Sequence, residues 1–92
     1  MDTKRVIVTV IGQDRVGIIA AVAKSLADNQ INILDISQTI LQEFFTMIMI
    51  VDISRSMLGI RELQDVLTLL GVDLGMQINA QHEDIFRFMH RI

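Results

Sequence analysis

Two stretches of this chain are apolar or β-branched at nearly every position, RVIVTVI at 5–11 and FFTMIMIVDI at 44–53. No other feature restricts the fold as much. Successive side chains of a strand point to opposite faces, so a half-buried strand alternates apolar with polar, and one that does not is covered on both faces. Both segments are therefore predicted as central strands of a sheet. The chain has 92 residues, enough for one domain over 1–92. The remaining segments must then supply the sheet edges and the covering helices.

Those segments read as follows. Gly12 ends the first strand, and Gln13, Asp14 and Arg15 form a polar loop. Ile18, Ile19, Val22, Ala23 and Leu26 form a stripe of helical period, with Asp14 as a natural N-cap and Asn29 as a natural C′ residue. The segment NILDISQTIL at 32–41 is a second strand. One of its faces carries Leu34, Ile36 and Ile40 with Gln38 among them, and the other carries Ile33, Asp35, Ser37, Thr39 and Leu41. So mixed a pattern fits an edge strand, or one with a bulge. Gln42 and Glu43 make a tight turn into the second central strand. Ile60, Leu63, Leu67 and Leu70 define a second helix, closed by Gly71. Leu74, Met76, Ile78 and Ala80 then alternate with Gly75, Gln77, Asn79 and Gln81, the pattern of a second edge strand. Ile85, Phe86, Phe88, Met89 and Ile92 suggest a short C-terminal helix that packs back on the domain.

The order is β-α-β-β-α-β, an α+β ferredoxin-like arrangement: a four-stranded antiparallel sheet with two helices on one face. Right-handed crossovers leave the first and third strands at the centre, where the sequence is most apolar. This leaves a surplus. Val6, Val8 and Val10 oppose Ile7, Thr9 and Ile11, while Phe45, Met47, Met49 and Val51 oppose Phe44, Thr46, Ile48 and Ile50. Whichever set meets the helices, the other is bare. A large apolar patch marks an interaction surface, so a homo-oligomer is expected, most simply a dimer, through the open face, an edge strand, or both. The alternative cover is the C-terminal segment of the same chain.

Composition narrows the function. The net charge is −3, so a basic footprint for direct nucleic-acid binding is lacking. The chain has no cysteine, hence no disulfide and no thiolate metal site. The polar start at 1–5 does not read as a signal peptide, and the charge-free apolar run 44–51 is far below the roughly 18 residues of a membrane span. A cytoplasmic protein is expected. His82 and His90 have no third ligand at a recognised spacing, so no metal is expected. Phosphate-loop, metalloprotease and hydrolase-elbow motifs are missing too, so no cofactor and no catalytic residues are assigned and the chain does not read as an enzyme.

Two places carry candidate binding groups. The turn from Gly12 to Gly17 leads from a central strand into a helix N-terminus, where unpaired amides and the helix dipole favour an anion such as a carboxylate. Gly17 permits close approach of a ligand or of backbone. Asp14 serves either as cap or as ligand contact. Asn32, at the start of the second strand, either bonds an amino acid's polar groups through its amide or simply closes a turn.

These residues also carry a family resemblance. The segment VTVIGQDRVGIIAAVAKSLADNQINILDISQTIL at 8–41 resembles the opening of an ACT domain. The runs DISQTIL, FFTMIMIV and IFRFMHRI are similar to those of stand-alone single-ACT proteins related to the glycine-cleavage-system transcriptional repressor. The resemblance implies a regulatory, amino-acid-binding homo-oligomer in which sheets join edge to edge and the ligand sits between subunits. It places ligand contacts at Asp14, Gly17, Ile18, Ile19 and Asn32. A histidine found two residues ahead of the loop's polar residue in serine-binding members is replaced here by Gly12, so serine specificity is not implied. Two other readings are weighed. One is a protein–protein interaction module without a ligand. The other is an acylphosphatase-like hydrolase using Arg15, although the GVGFR order of such enzymes is DRVGII here.

Overall fold

The computed structural model describes residues 4–84. Its elements are β1 (Arg5–Gln13), α1 (Ile18–Asp28), β2 (Asn32–Leu41), β3 (Phe44–Asp52), α2 (Ile60–Leu74) and β4 (Met76–His82). The strands form one sheet in the order β2-β3-β1-β4, every neighbour antiparallel. The two most apolar strands are thus central, as their sequence requires. The C-terminal helix expected from Ile85 to Ile92 lies outside the described residues.

One face of the sheet builds the core. Val6, Val8 and Val10 of β1, Phe45, Met47, Met49 and Val51 of β3, and Met76, Ile78 and Ala80 of β4 form one buried cluster with Ile18, Val22 and Leu26 of α1 and Leu63 and Leu67 of α2. Removing such side chains from water stabilises by roughly 1.5–3 kcal/mol each before ordering costs. Buried polar side chains are absent from the described part of this core. The opposite face carries Ile7, Thr9 and Ile11 beside Ile50, Ile48 and Thr46.

Strand β2 is an edge and also bulged. Ile33 opposes Val51, Asp35 opposes Ile50, and Leu34 is the extra residue between them. The bulge returns Ile33 to the helix side with Ile36, Gln38 and Ile40, which is why simple alternation failed to describe this strand. Ile36 and Ile40 remain exposed although they are on the helix side.

Element ends differ from the sequence reading at several points. β1 does not stop at Gly12 but runs on to Gln13; a Cβ on Gly12 would come within 2.6 Å of the Met76 Sδ, so a glycine lets β4's first side chain lie across the strand. The N-cap of α1 is Gly17, not Asp14, with φ 90°, and no side chain caps the helix. Asn29 is the C-cap with φ −103°, and the left-handed residue is Gln30 at φ 61°. The Asn29 amide instead donates back to the Ser25 carbonyl at 2.8 Å. Gly71 does not close α2: the helix continues through Leu74, and Gly75 caps it in the left-handed region at φ 69°. Gly71 is buried, and a Cβ there would lie 2.6 Å from the Met76 carbonyl oxygen. Its role is to let helix and strand backbones touch. Leu74 consequently belongs to α2 rather than β4.

Candidate functional site

The loop between β1 and α1 is held from both sides. The Asp14 amide donates to the Glu43 carbonyl at 2.7 Å, tying the loop to the β2–β3 turn. The Arg15 guanidinium donates through Nη1 to the Leu74 carbonyl at 2.7 Å, a cation at the negative end of α2. Arg15 thus serves as a C-terminal cap for another helix. That bond engages one nitrogen of the exposed guanidinium. Val16 stands fully in solvent at the loop tip.

The chain then turns at Gly17. The first helical bond of α1 runs from the Ala21 amide to the Gly17 carbonyl at 3.0 Å. The amides of Ile18, Ile19 and Ala20 precede that bond, with no side-chain cap and no acidic residue in the first turn. An uncapped helix start of this kind accepts an oxygen from outside the helix. Asp14, Arg15, Gly17, Ile18, Ile19 and Ala20 line a cleft of about 290 Å³ whose other wall is Gln38, Ile40 and Phe45. Aliphatic and aromatic carbon dominates this lining, with the Asp14 carboxylate and Gln38 amide as its uncommitted polar side chains among the residues named. The floor is fixed, since Ile18 and Phe45 are buried, whereas Ile19 and Ile40 are exposed rims.

Four of the five predicted contacts, Asp14, Gly17, Ile18 and Ile19, therefore share one cleft. Asn32 does not. Strand register places it opposite Asp52, at the end of the sheet where Arg5 also lies, whereas the loop sits beside the opposite end, where Gln13 opposes Phe44. Asn32 lines a separate, polar cleft of about 480 Å³ with Ala27, Gln30, Ile31, Asp52 and Arg55. There the Ser54 amide donates to the Asp52 carboxylate at 2.9 Å, and this bond is the leading cause holding the Asp52 pKa below the ordinary carboxylate value. Within one chain the predicted site is split.

Sequence reasoning assigned Gln38 no definite side and overlooked Ile40 and Phe45. The available signal was the pairing of β2 with β3, which sets Gln38 against Met47 and Ile40 against Phe45 on the helix side. The bulge hid it. His82 is exposed and its Nδ1 accepts from the Asp84 amide at 3.2 Å. Among the described residues no group of three or more His, Cys, Asp or Glu side chains could hold a metal ion, and no helix is long and apolar enough to cross a membrane. His90 lies outside the described residues.

The two sheet edges are unlike. On the β4 side, the Gln64 side chain of α2 reaches out and donates to the Ala80 carbonyl at 2.7 Å, occupying an edge acceptor. On the β2 side, Asp35 accepts from the Ile36 amide at 2.8 Å beside the bulge, and beyond it the strand runs regularly from 36 to 41. That stretch, ISQTIL, carries neither lysine nor proline, the usual deterrents to edge pairing.

Comparison with known proteins agrees with this architecture. A family model described as an ACT domain matches residues 4–81. A UPF0237 protein of Methanocaldococcus jannaschii is 56% identical over 88 residues, covering 96% of this chain and 98% of that protein. Among solved structures, an ACT domain protein from Streptococcus pneumoniae is 38% identical with a TM-score of 0.82, covering 92% of this chain and 96% of that one. A putative glycine cleavage system transcriptional repressor is 26% identical with a TM-score of 0.77, covering 89% of this chain and 47% of that one.

Proposed function

Because the chain belongs to the ACT domain family, we propose that it is a regulatory module, not an enzyme, which binds an amino acid between two copies of itself. The observation that carries this reading is the split site. Asp14, Gly17, Ile18 and Ile19 lie at one end of the sheet and Asn32 at the other, with β2 running between the two ends along an open edge. Antiparallel pairing of two β2 edges about a twofold axis brings the Asn32 end of one copy to the Gly17 end of the other. The two clefts then face each other across the seam, and each twofold dimer holds two equivalent sites.

The chemistry suits an amino acid. Its carboxylate meets the free amides at the start of α1, its ammonium group meets the Asp14 carboxylate, and its side chain lies against Ile19, Ile40 and Phe45. Asn32 of the second copy supplies an amide that both donates and accepts. Ligand and dimer are then linked: a molecule held by both copies stabilises the pair over the separate chains, and the pair in turn raises affinity for the ligand. The one-chain cleft of about 290 Å³ is at the lower bound of typical ligand pockets, roughly 300–1,000 Å³. Closure by a second copy is therefore what makes it an enclosed site. The similarity to a putative glycine cleavage system transcriptional repressor supports a regulatory role for this domain.

A thermal-shift and calorimetric screen of the twenty proteinogenic amino acids at millimolar concentration tests the reading. At least one is expected to raise the midpoint and release or absorb heat, and the response is expected to disappear in Gly17→Asp. A flat response to all twenty contradicts it.

A further inference from the structure

The cleft at the Asn32 end of the sheet is rich in hydrogen-bond donors, of which the site described above uses only one. Helix α1 ends there at its C-cap Asn29, and Gln30 follows in the left-handed region at φ 61°, its backbone amide bonded to the Ala27 carbonyl at 3.0 Å. Glycine is the usual residue at such a helix end, so a glutamine holds the place at a conformational cost. Asn32 comes two residues later, and Arg55 belongs to the connection between β3 and α2. Gln30, Asn32 and Arg55 are exposed, and among the described residues none of their side chains has a hydrogen-bond or ion-pair partner. Asp52 lines the same cleft but is committed to its own turn. Its carboxylate accepts from the Ser54 amide at 2.9 Å, the first cause of its lowered pKa, while the charge of Arg55 is the last. A guanidinium and two amides thus stand open beside a carboxylate that is already bonded.

We propose that Arg55 sets the specificity of the shared site, and that the amino acid bound there carries a second carboxylate on its side chain. The inference rests on the shared site proposed above. The β2 pairing that brings the Asn32 end of one copy to the Gly17 end of the other brings Arg55 with it, because Asn32 and Arg55 line one cleft. The ligand's own carboxylate and ammonium groups go to the start of α1 and to Asp14, and its side chain leaves across Ile19, Ile40 and Phe45. That wall is hydrocarbon and suits a short methylene stem. The stem ends against the donors of the second copy, so the group it carries must accept. A carboxylate only accepts, and its two oxygens match the planar fork of a guanidinium in charge-assisted bonds. The amide of asparagine or glutamine has the same shape but turns an NH2 group toward that fork. An apolar side chain of equal length strips the guanidinium and Asn32 of water and gives no bond in return. Aspartate and glutamate are the class that remains.

Calorimetric titration of the full chain with glutamate, aspartate, glutamine and asparagine tests this, beside Arg55→Gln and Arg55→Lys. The wild type is expected to bind at least one acid roughly 10- to 100-fold more tightly than its amide, the usual effect of hydrogen bonds to a charged group. Arg55→Gln is expected to lose that preference while its Tm stays at the wild-type value, since the side chain it alters is exposed and unbonded. Arg55→Lys, a charge without the fork, is expected to recover part of it. Equal mixing of Arg55→Gln with Gly17→Asp chains after unfolding and refolding is expected to return about a quarter of the wild-type acid sites, because Arg55 acts from the second copy. A wild type that binds an uncharged amino acid as tightly as the better acid overturns the proposal and leaves the shared site standing. An Arg55→Gln protein that keeps the preference for the acid does the same, and so does a mixture without wild-type acid sites. A wild type that binds none of the twenty overturns the shared site itself, and this inference with it.

Discussion

Gly17 separates the conformational demands of the loop from the demands of a ligand. Its φ is 90° and ψ 3°, and a Cβ built on it meets nothing within 4 Å. Steric crowding therefore contributes nothing to the cost of a substitution, and the backbone angle contributes all of it. An L-residue in the left-handed region loses roughly 1–2 kcal/mol, and Asn, which bonds locally there, loses less. Gly17→Ala is therefore expected to destabilise by about 1–2 kcal/mol and Gly17→Asn by about half as much. For a domain of this size, each kcal/mol lowers Tm by roughly 4–8 °C. Differential scanning calorimetry with Val16→Ala as a control resolves the series, since Val16 is fully exposed and its truncation should leave Tm unchanged. Both Gly17 variants should lose the response to amino acids, because either side chain stands at the cleft mouth. A Gly17→Ala protein as stable as the wild type, or an Asn variant less stable than the Ala variant, refutes the argument from φ. Intact ligand binding in both refutes the placement of the ligand.

Other expectations follow from the same geometry. Leu67 is completely buried in the helix–sheet core, so Leu67→Ala should cost about 2–5 kcal/mol in urea denaturation. Arg15→Ala removes the bond to the Leu74 carbonyl and the cation at the end of α2; a loss of roughly 0.5–1.5 kcal/mol is expected, visible also as faster amide exchange over the last turn of that helix. Asp52 has its pKa lowered, first by the Ser54 amide and then by the Ser54 side chain. Its contribution to stability is thus complete above the unfolded-state value near pH 4 and is lost as pH falls through the lower folded value. Asp52→Asn should therefore flatten the acid limb of a stability–pH curve and change its slope little above pH 5.

How much of this was legible in the sequence depended on how far each feature is set by local pattern. The central strands announced themselves, because RVIVTVI and FFTMIMIVDI leave no polar face to give to water. Helix existence was equally plain, but helix ends were not. Gly71 and Gly75 are both glycines near the end of an apolar stripe, and only the contact with the Met76 carbonyl assigns the first to close packing and the second to the left-handed turn. Asp14 has the residue type of a cap, yet the chain delays the helix to Gly17 because residues 14 and 15 are already bonded to the β2–β3 turn and to α2. Such long-range commitments leave no trace in a local pattern. The cleft was legible in part: the loop residues were named, while Gln38 and Ile40 reached its wall only through a bulge at Leu34 that shifts the face of β2. The separation of Asn32 from the loop followed from topology alone, since α1 carries the chain from one end of the sheet to the other.

The central claim is that each binding site is shared between two copies, and subunit mixing tests it most directly. Gly17→Asp blocks the loop half of every site, and Asn32→Ala removes the other half, so each homodimer is silent in calorimetry. In a mixed dimer one site carries both changes and the other carries neither. Equal mixing after unfolding and refolding should restore about a quarter of the wild-type sites, as twofold symmetry requires. A mixture as silent as its components contradicts the account, because it means that both halves act within one chain.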